Sequence, residues 1–522
     1  LSWFDSAIDK MALFSTQVYF QILGALIGLV GFAYIYLRHV AYKYWSSKGV
    51  PQTNPTAPFG DLWPVLRAKK SIGQLVRDEY FEFEKKPIFG MYSFHKPTLV
   101  IRDPEIIRFV LIKDFPHFQD RGVYYNEEVD PLSGHLFSLS GPKWKKLRVK
   151  FSPTFTSGKM KYMFATVKEC SEKLALYFGE EVKRNNQLVE VKDFMARFST
   201  DIISSVAFGI ECNSMKNPND EFRECGRAAF KSRPLINALF AVFPDALKLF
   251  NMKVILPEVS NFFIKAFNDT VKYRTEKKLI RKDFLELIIQ LMNKGCVQGD
   301  DEEETDNSEK ITMLEGAAQA FVFFLAGSET SSSTATHCLY ELAFHQDIQD
   351  KLASEIKTVT EKFGGVTYES IAAMPYLHKV VSETLRKYPS VPILNRQATA
   401  DVELPGLGLT VAKGTPIIIP VYGLHSDPDI YPNPQVFDPE RFSKENIDRR
   451  HNYAYLPFGE GPRNCIGMRF GLLQSKIGII SLISKFRLAP APDTAVPLPI
   501  DTGNFVLCPG EGIVLRVEER SN

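Results

Sequence analysis

Residues 458–467 read Phe-Gly-Glu-Gly-Pro-Arg-Asn-Cys-Ile-Gly, and this stretch decides how the rest of the chain is interpreted. Its three glycines and one proline predict an irregular loop, because glycine adopts backbone conformations that other residues avoid. The loop presents Cys465 just before an apolar stretch that predicts a helix. Backbone amides near a helix start stabilise a thiolate, Arg463 suits an anionic group, and Phe458 would shield one side. This pattern fits a thiolate-bound haem iron, and an inert thiol is the alternative for a lone cysteine.

The composition excludes several classes of protein. With 522 residues, 45% hydrophobic and 24% charged, the chain is globular and neither disordered nor collagen-like. The 63 basic and 61 acidic side chains nearly cancel, which argues against a nucleic-acid partner. Seven acids without a base lie between Asp300 and Glu309, and residues 298–309 are predicted to form a surface loop. The cysteines show no C-x-x-C spacing, which favours reduced thiols in a cytosol-facing protein.

The N-terminal part predicts a membrane anchor. Residues 11–37 carry no charge and would form a helix of roughly 40 Å, which is enough to cross a bilayer. A secretory signal peptide is the alternative, but the run is long and is preceded by acidic residues. Arg38, Lys43 and Lys48 follow the run, which places the remainder of the chain in the cytoplasm.

The chain divides into four predicted segments. Residues 1–10 are interpreted as an extension upstream of Met11, followed by the anchor over 11–37. Residues 38–64 are basic and rich in proline, which predicts a stiff linker. Residues 65–522 are predicted to form one large domain.

Hydrophobic periodicity in that domain predicts a mainly α fold with small β-sheets. The predicted strands are short, and neither β-α-β alternation nor an internal repeat is visible. The predicted helical stretches cover residues 103–114, 142–152, 159–184, 192–208, 257–293, 311–344, 345–363, 377–388 and 466–486. The predicted strands cover residues 88–92, 98–101, 410–411, 416–420 and 513–517.

Four further motifs occur in a fixed order along the chain. Trp144-Lys-Lys-Leu-Arg148 precedes Ala326-Gly-Ser-Glu-Thr330, and Glu383-Thr-Leu-Arg386 precedes Pro439-Glu-Arg-Phe442. Together with Phe458–Gly467, these motifs resemble the cytochrome P450 superfamily at every fixed position. The resemblance extends from residue 11 to the C-terminal end and implies a single haem domain with an N-terminal transmembrane helix.

Glu383 and Arg386 lie three residues apart and therefore share one face of a helix. With Arg441 they could form a buried ion network that braces the cysteine loop, or they could be an exposed pair of little energetic value. The resemblance implies a structural role for these three residues.

The stretch around Thr330 combines an apolar helix with Ala326, Gly327 and an acid beside a hydroxyl, Glu329 and Thr330. Glycine weakens a helix locally and threonine bonds back to a carbonyl, which would open a groove for O2 and water. A helix kink with a solvated acid is the alternative. The resemblance implies that Thr330 and Glu329 manage oxygen and protons.

The resemblance also implies haem b as cofactor, with Cys465 as the axial ligand of the iron. Arginine and tryptophan donors suit the two haem propionates. Arg121 and Arg396 match propionate partners by position only, and surface arginines are the alternative. The residues implied in cofactor binding are Arg121, Trp144, Arg148, Arg396, Phe458, Gly461, Arg463 and Gly467.

The 40 phenylalanines fit an apolar substrate cavity, although ordinary core packing explains them equally well. Three further segments, 120–122, 130–134 and 152–160, are similar to insect microsomal enzymes of family 6, which metabolise xenobiotics. The residues implied to line the cavity are Phe137, Val322, Leu325, Val391, Leu394 and Phe505.

The resemblance implies a monooxygenase of the endoplasmic reticulum membrane that receives NADPH electrons from a flavoprotein reductase. Cytochrome b5 is a second implied partner, beside membrane lipid and a lipophilic substrate. Lys143, Lys145, Lys146 and Lys150 predict a basic docking patch, with a solvated helix face as the alternative. Two other functions stay open: a haem-thiolate isomerase or dehydratase, and a non-catalytic haem- or lipid-binding membrane protein. The complete 326–330 motif argues against both.

Overall fold

The computed structural model describes residues 2–230, 233, 236, 239, 243–297, 309–510 and 512–520. The acidic segment of the sequence therefore lies outside the described residues, apart from Glu309. The helices are α1 Ser2–His39, α2 Tyr44–Ser47, α3 Trp63–Leu66, α4 Ile72–Glu82, α5 Pro104–Arg108, α6 Gly141–Phe151, α7 Ser157–Arg184, α8 Val191–Ile203, α9 Glu221–Phe230, α10 Pro244–Leu249, α11 Pro257–Lys277, α12 Phe284–Lys294, α13 Met313–Phe344, α14 Gln346–Phe363, α15 Tyr368–Ala372, α16 Pro375–Lys387, α17 Val421–His425, α18 Lys444–Arg449 and α19 Met468–Ile483.

Nine short strands form three small sheets in the described part of the chain. The strands are β1 Ile88–Ser93, β2 Lys96–Ile101, β3 Leu188–Glu190, β4 Leu394–Gln397, β5 Val402–Leu404, β6 Leu409–Val411, β7 Pro416–Ile419, β8 Phe486–Pro490 and β9 Val514–Glu519. The sheets have the orders β1-β2-β7-β4, β3-β9-β8 and β5-β6. Only the β2–β7 pair is parallel among these described pairs. The predicted mainly α fold with small sheets is confirmed.

Helix α1 is the one described helix that is long and apolar enough to cross a membrane. Its apolar side chains between Tyr19 and Tyr36 are largely exposed to solvent, as expected for a helix that contacts lipid. The helix runs without a break through residues 2–10, although these residues were predicted to be separate from the anchor.

The segment after α1 packs on the domain and is not a free spacer. Tyr42 and Trp45 are buried in a hydrophobic cluster with strands β1 and β2. The Asp61 carboxylate accepts hydrogen bonds from the Tyr92 amide and the Thr53 hydroxyl, both at 2.7 Å. Proline spacing alone does not reveal these contacts, because they join residues that are distant in the sequence.

The predicted helical stretch 257–293 consists of two helices in the structure. Helix α11 ends at Lys277, and Lys278 adopts a left-handed conformation with a φ of 52°. The Asp283 side chain then accepts a hydrogen bond from the Glu286 amide at 3.0 Å and caps α12. The residues between the helices continue the apolar pattern, which is why the periodicity does not show the turn.

Helix α13 runs through the largest hydrophobic cluster and organises the domain around it. A capping box starts the helix: the Thr312 amide donates to Glu315 Oε2 at 2.8 Å, and the Glu315 amide donates to Thr312 Oγ1 at 3.1 Å. Such reciprocal bonds satisfy two amides that a helix start leaves without partners. Most of the following side chains are buried against α8, α16 and α19.

Candidate active site

The loop that precedes α19 turns back on itself at Cys465. The Cys465 amide donates a hydrogen bond to the Phe458 carbonyl at 2.9 Å. Gly459 and Gly461 both have a φ near +70°, at 68° and 78°, a conformation that favours glycine. A Cβ on Gly461 would lie 2.1 Å from the Leu111 carbonyl oxygen. The loop therefore requires glycine at position 461 for close backbone packing.

The Cys465 side chain is exposed because it faces an internal cavity. Desolvation by the surrounding protein raises the pKa of the Cys465 thiol. A hydrogen bond from the Gly467 amide and the positive charges of Arg148 and Arg121 act in the opposite direction. The sulfur thus combines access from the cavity with groups that stabilise its thiolate, as a metal-binding cysteine requires.

Residues from distant parts of the sequence line this cavity, and most of the predicted site residues are among them. Its walls carry mainly aliphatic and aromatic groups, which suits a lipophilic molecule. The predicted residues that the structure brings together here are Arg121, Phe137, Trp144, Arg148, Val322, Ala326, Gly327, Thr330, Val391, Leu394, Arg396, Phe458, Arg463, Cys465, Gly467 and Phe505.

Among the residues predicted for oxygen activation, haem binding and the substrate cavity, three do not line the cavity. Leu325 packs against the main hydrophobic cluster, and Glu329 lines a separate polar crevice with Lys192 and Asp501. Both lie next to cavity residues in the sequence, but consecutive residues of a helix point about 100° apart. Gly461 meets the Leu111 backbone instead of the cavity. Leu325 is not among the residues that line the cavity.

Four arginines converge on the cavity, as an anionic cofactor requires. Arg148 donates to the Asn464 carbonyl at 2.9 Å, and Arg121 donates to the Phe137 carbonyl at 3.0 Å. Arg396 and Arg463 are 2% exposed, and the Nε atom of each is buried without a hydrogen-bond partner.

Carboxylates offset little of this positive charge. Asp120, 3.6 Å from Arg463, forms the one ion pair with the four arginines among the described residues. Burial, with repulsion from Arg396 and Arg148, lowers the pKa of Arg463 to about 9. Burial alone lowers the pKa of Arg396 to about 10. Buried cations with unused donors fit the two carboxylates of a haem.

Thr330 presents its side chain at the edge of the cavity. Its hydroxyl donates a hydrogen bond to the Ala326 carbonyl, one helical turn earlier, at 2.6 Å. Gly327, between them, faces α8, where an added Cβ would lie 2.5 Å from the Ile203 side chain. The Glu329 carboxylate accepts instead from the Ser333 hydroxyl at 3.5 Å. Thr330 and Glu329 thus face two different spaces on either side of α13.

Glu383 and Arg386 form a buried ion pair, so the exposed alternative is wrong. The Arg386 Nε atom lies 2.7 Å from Glu383 Oε2, and the side chains are 1% and 0% exposed. Arg441 approaches Glu383 Oε1 at 3.5 Å. Arg386 also donates to the His425 carbonyl at 2.9 Å.

His425 connects this ion network to the cysteine loop through hydrogen bonds. Burial, with a contribution from Arg386, lowers the pKa of His425 to about 3, so the ring is neutral. Its Nε2 atom accepts a hydrogen bond from the Leu456 amide at 2.9 Å. Leu456 lies two residues before Phe458. The start of the loop is therefore held from α16 through one arginine and one histidine.

Several residues of the site escape sequence reasoning. Asn464 holds Arg148 through its carbonyl and through its side-chain oxygen at 2.7 Å. Asp120 accepts from the Gly141 amide at 2.8 Å, at the start of α6. Among the apolar lining residues, Phe323 and Ile393 neighbour predicted positions. The variable position before Cys465 carries no signal in a single sequence, whereas the helical register of α13 could have indicated Phe323.

The predicted basic patch on α6 is partly neutralised. Lys143 lies 2.8 Å from a Glu127 carboxylate oxygen and 3.8 Å from Glu315, and Lys146 pairs with Glu309. Lys145 and Lys146 are exposed to solvent. The patch therefore keeps accessible positive charge beside three carboxylates.

Comparison with known proteins agrees with this site. The family model described as Cytochrome P450 matches residues 55–516. The chain therefore belongs to the cytochrome P450 family and is a haem-containing monooxygenase, which confirms the resemblance found in the sequence.

The most similar relatives include insect proteins that match nearly the whole chain. Cytochrome P450 6a2 of Drosophila melanogaster is 44% identical over 495 residues, covering 92% of this chain and 96% of that protein. Cytochrome P450 6k1 of Blattella germanica is 43% identical, covering 94% of this chain and 95% of that protein. Cytochrome P450 6A1 of Musca domestica is 41% identical, covering 94% and 97% respectively.

Proposed function

We propose that the chain inserts one oxygen atom from O2 into lipophilic small molecules, with xenobiotics as the substrate class. NADPH provides two electrons, and the second oxygen atom leaves as water after taking up two protons. The proposal depends above all on Cys465, whose accessible sulfur faces a mainly apolar cavity that also contains Thr330. When bound, the haem supplies oxygen activation at its iron.

The residues around the cavity would hold that cofactor. Cys465 would bind the haem iron, and the four arginines with Trp144 would hold the propionates. Phe458 and Gly467 shape the cavity beside the sulfur, and Gly461 fixes the loop against Leu111.

Thr330 holds a hydroxyl group at the edge of the cavity, where it would donate a hydrogen bond to O2 and pass on protons. Glu329 holds its carboxylate in the polar crevice with Lys192 and Asp501. A proton taken up there reaches Thr330 through water or by rotation of the Glu329 side chain. In this proposal, the side of α13 that faces charged residues supplies protons to the side that faces the apolar cavity.

The proposed location is the endoplasmic reticulum membrane, with the catalytic domain in the cytosol. The apolar and largely exposed helix α1 supports a single-pass anchor over residues 11–37. Residues 65–522 are proposed to be the catalytic domain, on which the preceding residues 41–64 pack. The exposed lysines of α6 support docking of an acidic flavoprotein reductase, with cytochrome b5 as a second donor.

Reconstituted turnover tests this proposal. The purified full chain, in vesicles with an NADPH-dependent flavoprotein reductase, is expected to oxidise lipophilic probes and to consume one NADPH per product. Thr330→Ala should keep the haem but consume more NADPH and O2 per product, because more of the O2 is reduced to water or peroxide without oxidising the probe. Haem binding without reductase-dependent turnover would contradict the proposal and favour an isomerase or dehydratase.

A further inference from the structure

Two exposed aliphatic side chains occupy the turn between α11 and α12. Leu279 is 47% exposed and Ile280 is 80% exposed. Lys277, Lys278 and Lys282 surround them and are also exposed. Single apolar residues are common on protein surfaces, but an adjacent pair within a basic rim is typical of a contact surface.

The turn is held in one conformation by its own contacts. Arg274 and Asp283 close its two ends with a buried bond of 2.8 Å between Nη1 and Oδ1. Arg281 donates to the Gly209 carbonyl at 3.3 Å and to the Ser205 hydroxyl at 2.5 Å. A preformed turn loses little conformational entropy when a partner binds. The structure therefore displays Leu279 and Ile280 in a fixed arrangement.

The turn lies close to the segments that surround the cysteine loop. Phe284, which follows the turn, contacts Phe155 with 5.3 Å between ring centroids. The Phe155 carbonyl in turn accepts from Arg469 at 3.4 Å, on the helix that follows Cys465. Lys282 lies 5.5 Å from the ring centroid of Tyr162 on α7. Phe284 also lies 6.1 Å from Phe151 at the end of α6, measured between ring centroids. The turn thus adjoins the junction of α6 and α7.

The charges around the turn favour an acidic partner. Four carboxylates belong to its flanking helices and ends: Glu276, Asp283, Glu286 and Asp269. Asp283 is buried with Arg274, and Glu286 is 8% exposed. Asp269 pairs with Lys265 at 2.7 Å, and the exposed Glu276 lies 4.0 Å from Lys272, so both carboxylates are paired with lysines of α11. The exposed rim nearest the two aliphatic side chains is therefore basic.

We propose that residues 277–282 are an apolar anchor for the acidic protein that donates electrons, within one docking surface that continues onto the lysines of α6. This inference rests on the proposed reductase-dependent function. A buried apolar centre with a charged rim is the usual arrangement of a protein interface. The membrane is the rival occupant, but the membrane helix joins the domain at Tyr42 and Trp45, in a different hydrophobic cluster from the one that contacts the turn.

The test compares Leu279→Ser/Ile280→Ser with the control Leu176→Ser, which removes an aliphatic side chain that is 58% exposed on α7. The measurement is the reductase concentration that gives half-maximal NADPH-dependent turnover by the full chain in phosphatidylcholine vesicles. Loss of two anchors should raise this concentration about tenfold. Turnover supported by cumene hydroperoxide, which needs no reductase, should stay unchanged, and so should the control variant.

Three outcomes would overturn the proposal. The first is an unchanged half-saturating concentration in the double variant, and the second is an equal change in Leu176→Ser. The third is a change that occurs only when phosphatidylserine is added to the vesicles, which would assign the turn to lipid. If the wild-type protein uses cumene hydroperoxide but shows no reductase-dependent turnover, the proposed function itself fails, and this inference fails with it.

Discussion

Glu383 and Arg386 compensate each other's charge, because both side chains are buried and water cannot solvate either one. Removing one partner leaves a charge that is buried and no longer compensated, at a cost of about 3–5 kcal/mol. Arg386→Leu should therefore lower the free energy of unfolding by that amount, as measured by denaturant titration of the holoprotein. Glu383→Leu/Arg386→Leu should be less destabilised than the single variant. A double variant that is less stable than Arg386→Leu would contradict this account.

Glu79 on α4 makes stability depend on pH. Burial, followed by the charges of Asp61 and Glu82, raises the pKa of Glu79 to about 7. A carboxyl with a raised pKa in the folded state stabilises the fold at low pH, and this contribution is lost as the pH rises through 7. Glu79→Gln should be more stable than wild type at pH 8 by about 1 kcal/mol, with no difference near pH 4. Equal stability of the two proteins at pH 8 would contradict a raised pKa of Glu79 in the folded state.

The residues of the site could be predicted where a motif constrains their chemistry, but the direction in which each side chain points could not. Cys465 and Thr330 could be assigned from motifs, and both face the cavity. Glu329 and Leu325 come from the same stretch of sequence, yet they face a polar crevice and the core. The order of residues in a helix does not give its rotation about its own axis, which is set by packing against other elements.

Gly459 and Gly461, two of the three glycines in residues 458–467, differ in one respect. Both have a left-handed φ, but a Cβ on Gly459 would meet its nearest atom at 3.6 Å, whereas one on Gly461 would clash with the Leu111 carbonyl. Gly461→Ala should therefore lose haem during purification, and Gly459→Ala should retain most of it despite a conformational cost of about 1 kcal/mol. The haem content per protein measures the difference. Equal haem loss would indicate that backbone conformation alone decides the outcome.

At the scale of elements, long periodic helices could be predicted and their interruptions could not. The 311–344 prediction corresponds closely to α13, Met313–Phe344. The 257–293 prediction missed the turn at 278–283, because Leu279 and Ile280 continue the apolar pattern while pointing to solvent. Strand β8, Phe486–Pro490, begins at the end of a predicted helix, since its sheet partner β9 lies near the C-terminus.

In the whole molecule, the segment that connects the anchor to the domain packs on the domain, so that no free spacer separates the two. Deleting residues 2–39 should release the protein from the membrane fraction and keep the haem spectrum, because Tyr42 and Trp45 remain. Deleting residues 2–50 also removes these buried side chains, and loss of a buried tryptophan costs about 3–5 kcal/mol. Thermal unfolding of the two shortened proteins measures the difference. Equal unfolding temperatures would contradict the role of residues 41–50 as part of the domain.

The cavity is a property of the whole molecule. Phe137, Val322, Val391 and Phe505 meet at its wall from four segments that are separated by more than sixty residues each. Spacing in the sequence cannot reveal such contacts, and only the resemblance to a known family indicated these positions. The identity of Cys465 as the centre of the site, in contrast, follows from ten consecutive residues.

The central claim is that Cys465 binds the haem iron through its thiolate, and the difference spectrum of the reduced protein with carbon monoxide tests it most directly. The wild-type protein should show the far-red-shifted Soret band of thiolate-bound haem. Cys465→His keeps a metal-binding side chain and should lose that band. A wild-type spectrum without the shifted band, or the same band in Cys465→His, would contradict the account.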